Sequence, residues 1–305
     1  MLTFDSGKLD YVTVPAPFAA RVLAGSSLRP DYERRGIVLH RGVAPSVSYF
    51  FFNFEDPLLG GYSPERIALR RAISMGYNGD EAIRLLLDGQ GITAMQPIPP
   101  PLYGHDPKYR APYGYDPKTA NALLDRFRYK DKDGDGYREM PDGKPLTIML
   151  GSKTDSAART SDELWKRNMD AIGIRIQFIK NKPSELERMS EAGQLMMGGG
   201  TWMTFDFPDG IDNYSYFYSR NVGTSNEARM RLPALDTLYE AAARLPDGPE
   251  RTKVFSQMND MIFNHVPWIF TSYPYQNVLV QPWVRGYKLN TLTLQQWRYY
   301  DVEAR

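Results

Sequence analysis

No cysteine occurs in the 305 residues. That excludes thiolate catalysis, cysteine-ligated zinc, iron–sulfur clusters and disulfides. A reducing or an oxidising compartment tolerates the absence equally, so the location stays open. Histidine is scarce as well. His40, His105 and His265 are the three, none in an HxxH or HExxH spacing, and they read as structural or surface residues. An excess of one charge is lacking too: Lys plus Arg number 37 and Asp plus Glu 36, for a net charge of +1. That balance argues against nucleic acid as a partner and carries no polybasic membrane signal. The longest apolar stretch, residues 47–54, is far too short to span a bilayer. The opening Met1-Leu2-Thr3-Phe4-Asp5 has neither the basic nor the apolar region of a secretory signal. There is no G-x-S-x-G elbow and no Walker loop with its lysine. Acidic residues are plentiful but form no pair that sequence alone singles out, so a glycosidase reading has no named residues.

What is present is globular. Hydrophobic residues make up 42% and charged residues 24%, which places the chain away from disorder, and its length suits one large domain or two medium ones. Residues 10–14 and 36–40 read as short strands. Residues 46–54, SVSYFFFNF, read as a buried one, being rich in aromatic and β-branched types. A helix start follows at Ser63-Pro64-Glu65, cap, first-turn proline and first-turn acid in order, and a second stands at Asp116-Pro117. Residues 146–150 and 174–179 read as strands, and 161–171 as a helix ending at Gly173. Ser184-Glu185-Leu186-Glu187 has the pattern of a capping box. Gly198-Gly199-Gly200 reads as a bend beside a strand, and residues 234–245 and 249–264 as helices. The tail, residues 268–302, returns to strand-like types. Helices and strands alternate, so the fold class is α/β or α+β.

Two constellations carry chemistry. In Asp131-Lys132-Asp133-Gly134-Asp135-Gly136 through Glu139 to Asp142, acids fall at positions 1, 3, 5, 9 and 12 of a twelve-residue calcium loop, with glycine at 6. Asp131, Asp133, Asp135 and Asp142 are its candidate metal ligands, and the last is an aspartate where a bidentate glutamate is usual. An Asp/Gly-rich turn that needs no ion explains the same residues. The second constellation is Thr201 to Gly210 with Tyr214, Tyr216 and Tyr218, acids and aromatics interleaved in a loop. Aromatic walls with a few placed polar groups suit a small-molecule pocket; a core aromatic cluster under an acidic turn is the other explanation.

In order along the chain, several stretches resemble the family 5 extracellular solute-binding proteins, the periplasmic peptide- and nickel-type components of ABC importers. These are Ser6-Gly7-Lys8-Leu9-Asp10-Tyr11-Val12, Pro64-Glu65 with Arg70-Arg71-Ala72, Pro97-Ile98-Pro99-Pro100, Tyr115-Asp116-Pro117, Asp133-Gly134-Asp135-Gly136 to Pro145-Leu146, Asp206-Phe207-Pro208-Asp209, and Trp283-Val284-Arg285-Gly286-Tyr287. The resemblance implies a type II-like periplasmic binding fold of class α/β, with a ligand enclosed between two lobes. On that likeness residues 1–54 and 274–305 belong to a first lobe, residues 55–273 form the second, and the connecting strands near 51–54 and 273–277 lie side by side. Family chains carry a signal peptide and more first lobe upstream, so the chain is expected to be a fragment of a periplasmic protein, with apolar surface that favours a dimer. The implied partners are a small polar or peptide-like ligand and the membrane permease, with no catalytic residue and no required cofactor; the calcium of the acidic loop rests on its spacing alone, since relatives often carry a DGDG turn whether or not an ion binds. The implied ligand set is Trp202, Thr204, Phe205, Asp206 and Tyr214. Of these, Asp206 matches the acid that meets a ligand amino group in peptide-binding relatives, and Trp202 stands one residue further from it than is usual there. Asp209, beside Pro208, is expected to brace the loop. Two other readings share the residues: a carboxylate-pair hydrolase and a ligand sensor using the same cleft.

Overall fold

The computed structural model describes residues 1–204, 207–292 and 296–303. Its frame is one eight-stranded mixed sheet. The strands are β1 (Tyr11–Thr13), β2 (Val38–Val43), β3 (Ser46–Phe52), β4 (Gly91–Thr93), β5 (Thr147–Ser152), β6 (Arg175–Lys180), β7 (Met197–Thr204) and β8 (Trp268–Val280). They run in the order β1-β8-β3-β7-β5-β6, with β2 and β4 also paired to β8. Helices α1 (Pro64–Gly76), α2 (Gly79–Leu86), α3 (Pro117–Arg126), α4 (Ser156–Asp170), α5 (Pro183–Glu191), α6 (Pro233–Ala242) and α7 (Pro249–His265) cover its two faces.

Strand β3 explains its own sequence. Phe50 and Phe52 enter one core with Leu69, Ile73, Trp165 and Ile148, whereas Val47, Tyr49 and Phe51 enter another with Trp268, Phe217 and Phe255. A strand buried on both faces reads as a continuous apolar run, not an alternating one. The helix starts are equally local. Ser63 accepts from the Arg66 amide at 3.4 Å, and Asp116 from the Thr119 amide at 2.9 Å. Helix α4 begins at Ser156, ahead of the expected 161, because Asp155 accepts from the Ala158 amide at 2.8 Å. The Ser184 capping box is not formed. Pro183 opens α5 two residues before that pattern would, and Lys182 at the cap makes no side-chain bond.

Strand β8 joins two parts of the sheet. Its first half pairs β3, with Trp268 opposite Phe51 and Ser272 opposite Ser48, and then β4. Its second half pairs β2, with Tyr275 opposite Val43 and Val280 opposite Val38, and β1 on the far side. The chain crosses beside it between β2 and β3, where the Ala44 amide donates to Pro274 at 2.9 Å. Strands β2 and β3 therefore both run beside β8, and the change of partner along β8 falls near residues 272–275, opposite residues 43–48. A separate small core, with Phe4, Val22, Tyr32 and Leu279, packs on the second half of β8.

The glycine run lies inside β7 rather than beside it. Tyr49 pairs Thr201 and Phe50 pairs Gly199, so Gly200 is an extra residue and the ladder shifts register there. Gly199 has φ +121° and Gly200 φ +68°. A Cβ on Gly199 would stand 2.5 Å from the Tyr49 carbonyl oxygen, so the paired backbone would have to shift to admit it. Gly199→Ala is expected to cost about 1–3 kcal/mol in urea unfolding. The exposed Gly114, which has open space for a Cβ, should change by less than about 0.5 kcal/mol as alanine. Equal small effects at both positions would show that the bulge is not under that constraint.

Candidate functional site

The bulge opens the sheet. Strand β5 runs parallel to β6 over its whole length but meets β7 at a single pair, Leu150 with Met197. Beyond that point β7 continues to Thr204 with β3 on one side. Among the described residues no strand pairs its other side. The crevice so formed lies at the carboxyl end of the parallel strands, where open α/β sheets place their ligand sites.

Below the crevice is a cavity of about 310 Å³ whose walls include Ser48, Phe50, Tyr77, Gly151, Gly199 and Gly200. Its polar side is built at the β5–α4 turn. The Ser152 hydroxyl donates to Asp162 Oδ1 at 2.7 Å, and Lys180 donates to Ser152 Oγ at 3.0 Å while forming an ion pair with Asp162. The buried acid is thereby neutralised. Asp155 is turned to the α4 amides, and Lys153 stands half-buried on the wall. None of these residues was singled out in the sequence. The signal available was the polar run Ser152-Lys153-Thr154-Asp155-Ser156 between a strand and a helix.

The opposite face of β3 carries a second polar contact. Tyr49 donates to Glu227 Oε2 at 2.6 Å, Ser190 donates to the other oxygen at 3.4 Å, and the Tyr49 ring stacks on Trp268 with centroids 3.6 Å apart. Burial pushes the Glu227 carboxyl above its ordinary value and the Tyr49 phenol up as well.

The expected ligand residues fare differently. Trp202 and Thr204 belong to β7, opposite Ser48 and Ser46, and are strand backbone, not loop. Phe205 and Asp206 lie outside the described residues. The segment that follows is held firmly. Pro208 O accepts from the Tyr103 amide at 2.7 Å, and the Gly210 amide donates to Tyr103 O at 3.0 Å. Asp209 takes the Ile211 amide at 3.0 Å and Arg251 Nη2 at 2.7 Å. The buried Arg251 also reaches Asp247 Oδ1 at 2.7 Å and Ala242 O at 2.9 Å. Asp209 is thus the brace of its loop. Tyr214 does not line the crevice. It is 1% exposed, stacks on Phe255 and donates to Asn259 Oδ1 at 2.8 Å, because the 3₁₀ turn Gly210–Phe217 aims it into the core beneath.

The acidic loop brings Asp131, Asp133, Asp135 and Glu139 together, one oxygen from each lying within 4.8 Å of the others. Asp142 is not among them. After Glu139 the chain pairs with Pro145 and turns, the Met140 amide donating to Lys144 O at 2.9 Å, and this leaves Asp142 on Lys144 Nζ at 2.7 Å. The acids also close the loop themselves. Asp131 accepts from the Gly134 amide at 2.7 Å and the Gly136 amide at 2.9 Å, and Asp135 pairs with Arg175. That pairing and the Tyr137 amide hold the Asp135 carboxyl below its usual range, the amide contributing most.

Comparison with known proteins places this geometry. Residues 1–225 match the family model described as bacterial extracellular solute-binding proteins, family 5 Middle. Heme-binding protein A of Haemophilus influenzae is 24% identical over 244 residues, covering 79% of this chain and 42% of that protein. Di/tripeptide-binding protein 2 of Pseudomonas aeruginosa is 24% identical over 230 residues, 75% of this chain and 41% of that one. The oligopeptide-binding protein AppA of Bacillus subtilis, solved with a nonapeptide, superposes with a TM-score of 0.79 at 19% identity over 99% of this chain and 58% of its own. The chain thus spans about half the length of the relatives it matches. The fold is that of the periplasmic binding proteins of this class, and the chain belongs to family 5 of the bacterial extracellular solute-binding proteins.

Proposed function

We propose that the protein is the solute-binding component of an ABC importer, working in the periplasm. It captures a small polar, peptide-like ligand in the crevice between β5 and β7 and hands it to the membrane permease. The observation that carries this reading is the side of β7 beyond Met197 that no strand pairs among the described residues, in a chain of this family. An extended ligand laid there pairs its main chain with a strand edge, a mode that gives affinity without demanding one side-chain sequence. Relatives whose names state di/tripeptide and oligopeptide binding support the ligand class. The part of β8 that pairs β3 and β4, together with α1 to α7, forms the ligand-bearing lobe, and the part that pairs β1 and β2 belongs to the other. The reading includes no bond-making step.

Asp206 is the proposed partner of a ligand ammonium or hydroxyl, and Trp202 supplies stacking area beside it. In the protein at its full natural length, binding is read by native mass spectrometry against a pool of di- to pentapeptides. Asp206→Ala is expected to weaken it by about tenfold or more, with thermal stability unchanged. Asp209→Ala should instead cost about 1–3 kcal/mol of stability, since it leaves a buried guanidinium short of a partner. Unchanged peptide affinity in Asp206→Ala would overturn the assignment.

The acidic loop is proposed as a structural calcium position with Asp131, Asp133, Asp135 and Glu139 as carboxylate ligands, a set of hard oxygen donors that suits this ion. Titration calorimetry should show one calcium bound at millimolar concentration, lost in Asp133→Asn. No binding heat at that concentration would remove the site.

A further inference from the structure

The cavity under the crevice differs in chemistry from the strand edge above it. At about 310 Å³ it stands at the lower bound of small-molecule pockets, room for one large side chain rather than for a whole ligand. Its walls are mainly apolar: Phe50 and Leu150 from the strands, Ile83, Leu86 and Leu87 from α2 and its end, and Ala158 from α4. The aromatic backing is rigid. Tyr77 stacks on Trp165 with centroids 4.3 Å apart, and Phe50 meets Trp165 edge-on at 4.9 Å.

Tyr77 is one of several hydroxyl-bearing residues on the wall, with Ser48, Ser161, Thr271 and Ser272. Tyr77 is 3% exposed and lines the cavity, and its hydroxyl has no hydrogen-bond partner among the described residues. Burial pushes the phenol up, so the hydroxyl stays protonated and free to donate at any physiological pH. The hydroxyl is therefore available to a group that enters the cavity. Asp162 is engaged by Lys180 and Ser152, and Asp155 accepts from the Ala158 amide, while Lys153 stands half-buried on the wall. No buried carboxylate is left to favour a cationic side chain, and the mainly apolar walls away from Lys153 favour an uncharged one.

We propose that this cavity is the specificity pocket of the crevice and that it takes one bulky uncharged side chain of an extended ligand, a leucine, phenylalanine or tyrosine. Tyr77 supplies a hydrogen bond at its wall. The proposal rests on the peptide-binding reading above and adds what that reading lacks, the choice among peptides. A main chain paired on β7 sends alternate side chains to opposite faces, so every second residue of the ligand is directed toward the cavity side. Selection at that position then follows from burial of apolar surface, while the β7 edge reads only backbone.

The test uses the full-length protein and tripeptides of alanine in which one residue at a time is Leu, Phe, Tyr or Glu, with affinities from titration calorimetry. At one of the three positions the wild type should bind Leu, Phe and Tyr at least tenfold more tightly than Ala and should reject Glu. Ala158→Phe fills the cavity from the rim of α4 and should bring the Leu-to-Ala ratio to within threefold of one. Tyr77→Phe, which keeps the shape and the fold, should reduce the preference for Tyr over Phe and leave the Leu-to-Ala ratio as it was. Binding of the tripeptides without any apolar preference, or a preference that survives Ala158→Phe, overturns the pocket and leaves the peptide reading standing. Failure of every tripeptide to bind would sink the peptide reading itself, and the pocket with it.

Discussion

The close approach of Gly199 to the backbone of Tyr49 is the constraint on which the site depends. No side chain fits between β7 and the Tyr49 carbonyl, so the strand carries glycine there and takes up Gly200 as an extra residue. A bulge bends its strand and increases the local twist. Beyond it β7 no longer runs beside β5, and pairing between the two stops after Leu150 and Met197. The crevice, the unpaired side of β7 and the cavity walled by Gly151, Gly199 and Gly200 follow from that one departure. A regular ladder here would close the sheet and leave nowhere for a ligand.

Around that opening the elements are tied together by shared strands and buried polar contacts. Strand β3 is buried on both faces, and strand β8 ties it to β2 and β1 through a single continuous backbone, so the two parts of the sheet cannot separate without breaking β8. Arg70 shows how tightly the surroundings are organised. It is fully buried without a carboxylate, yet it donates to the carbonyls of Leu59, Gly61 and His265 and packs over Phe54. Those carbonyls include the last one of α7, where a cation meets the negative end of the helix dipole. Burial lowers its pKa only to about 10, so it keeps its charge. The brace at Asp209 and Arg251 does the same for the segment that returns from the end of β7.

What was legible in the sequence was local chemistry. Ser63-Pro64 and Asp116-Pro117 begin helices because the cap side chain and the proline act within one turn. The apolar run of β3 was readable because two cores bury it. Asp209 was readable as a brace because its neighbour is proline. The rest depends on distant contacts. The glycines of β7 favour a bend by propensity and become a strand because β3 pairs with them. Helix α2 begins at Asn78-Gly79, which reads as a turn, although Asn78 caps the Glu81 amide at 3.0 Å. Asp142 fits a calcium loop by spacing, but that loop leads into a tight turn, not a helix, and the turn carries the aspartate to Lys144. Tyr214 could be counted with the loop aromatics until the 3₁₀ turn showed which way it faces. The cavity brings together Tyr77, Gly151, Ala158 and Gly199, and no spacing in the chain marks them as neighbours.

The account's central claim is that the ligand lies along β7 at the crevice. Amide hydrogen exchange of the full-length protein, with and without the pooled di- to pentapeptides, tests it most directly. The backbone amides of residues 198–204 and of the β5–α4 turn at 153–158 should slow by at least tenfold on peptide addition, while those of α6 and α7 stay as they were. Protection confined to another face, with residues 198–204 exchanging at the same rate in both samples, would contradict it.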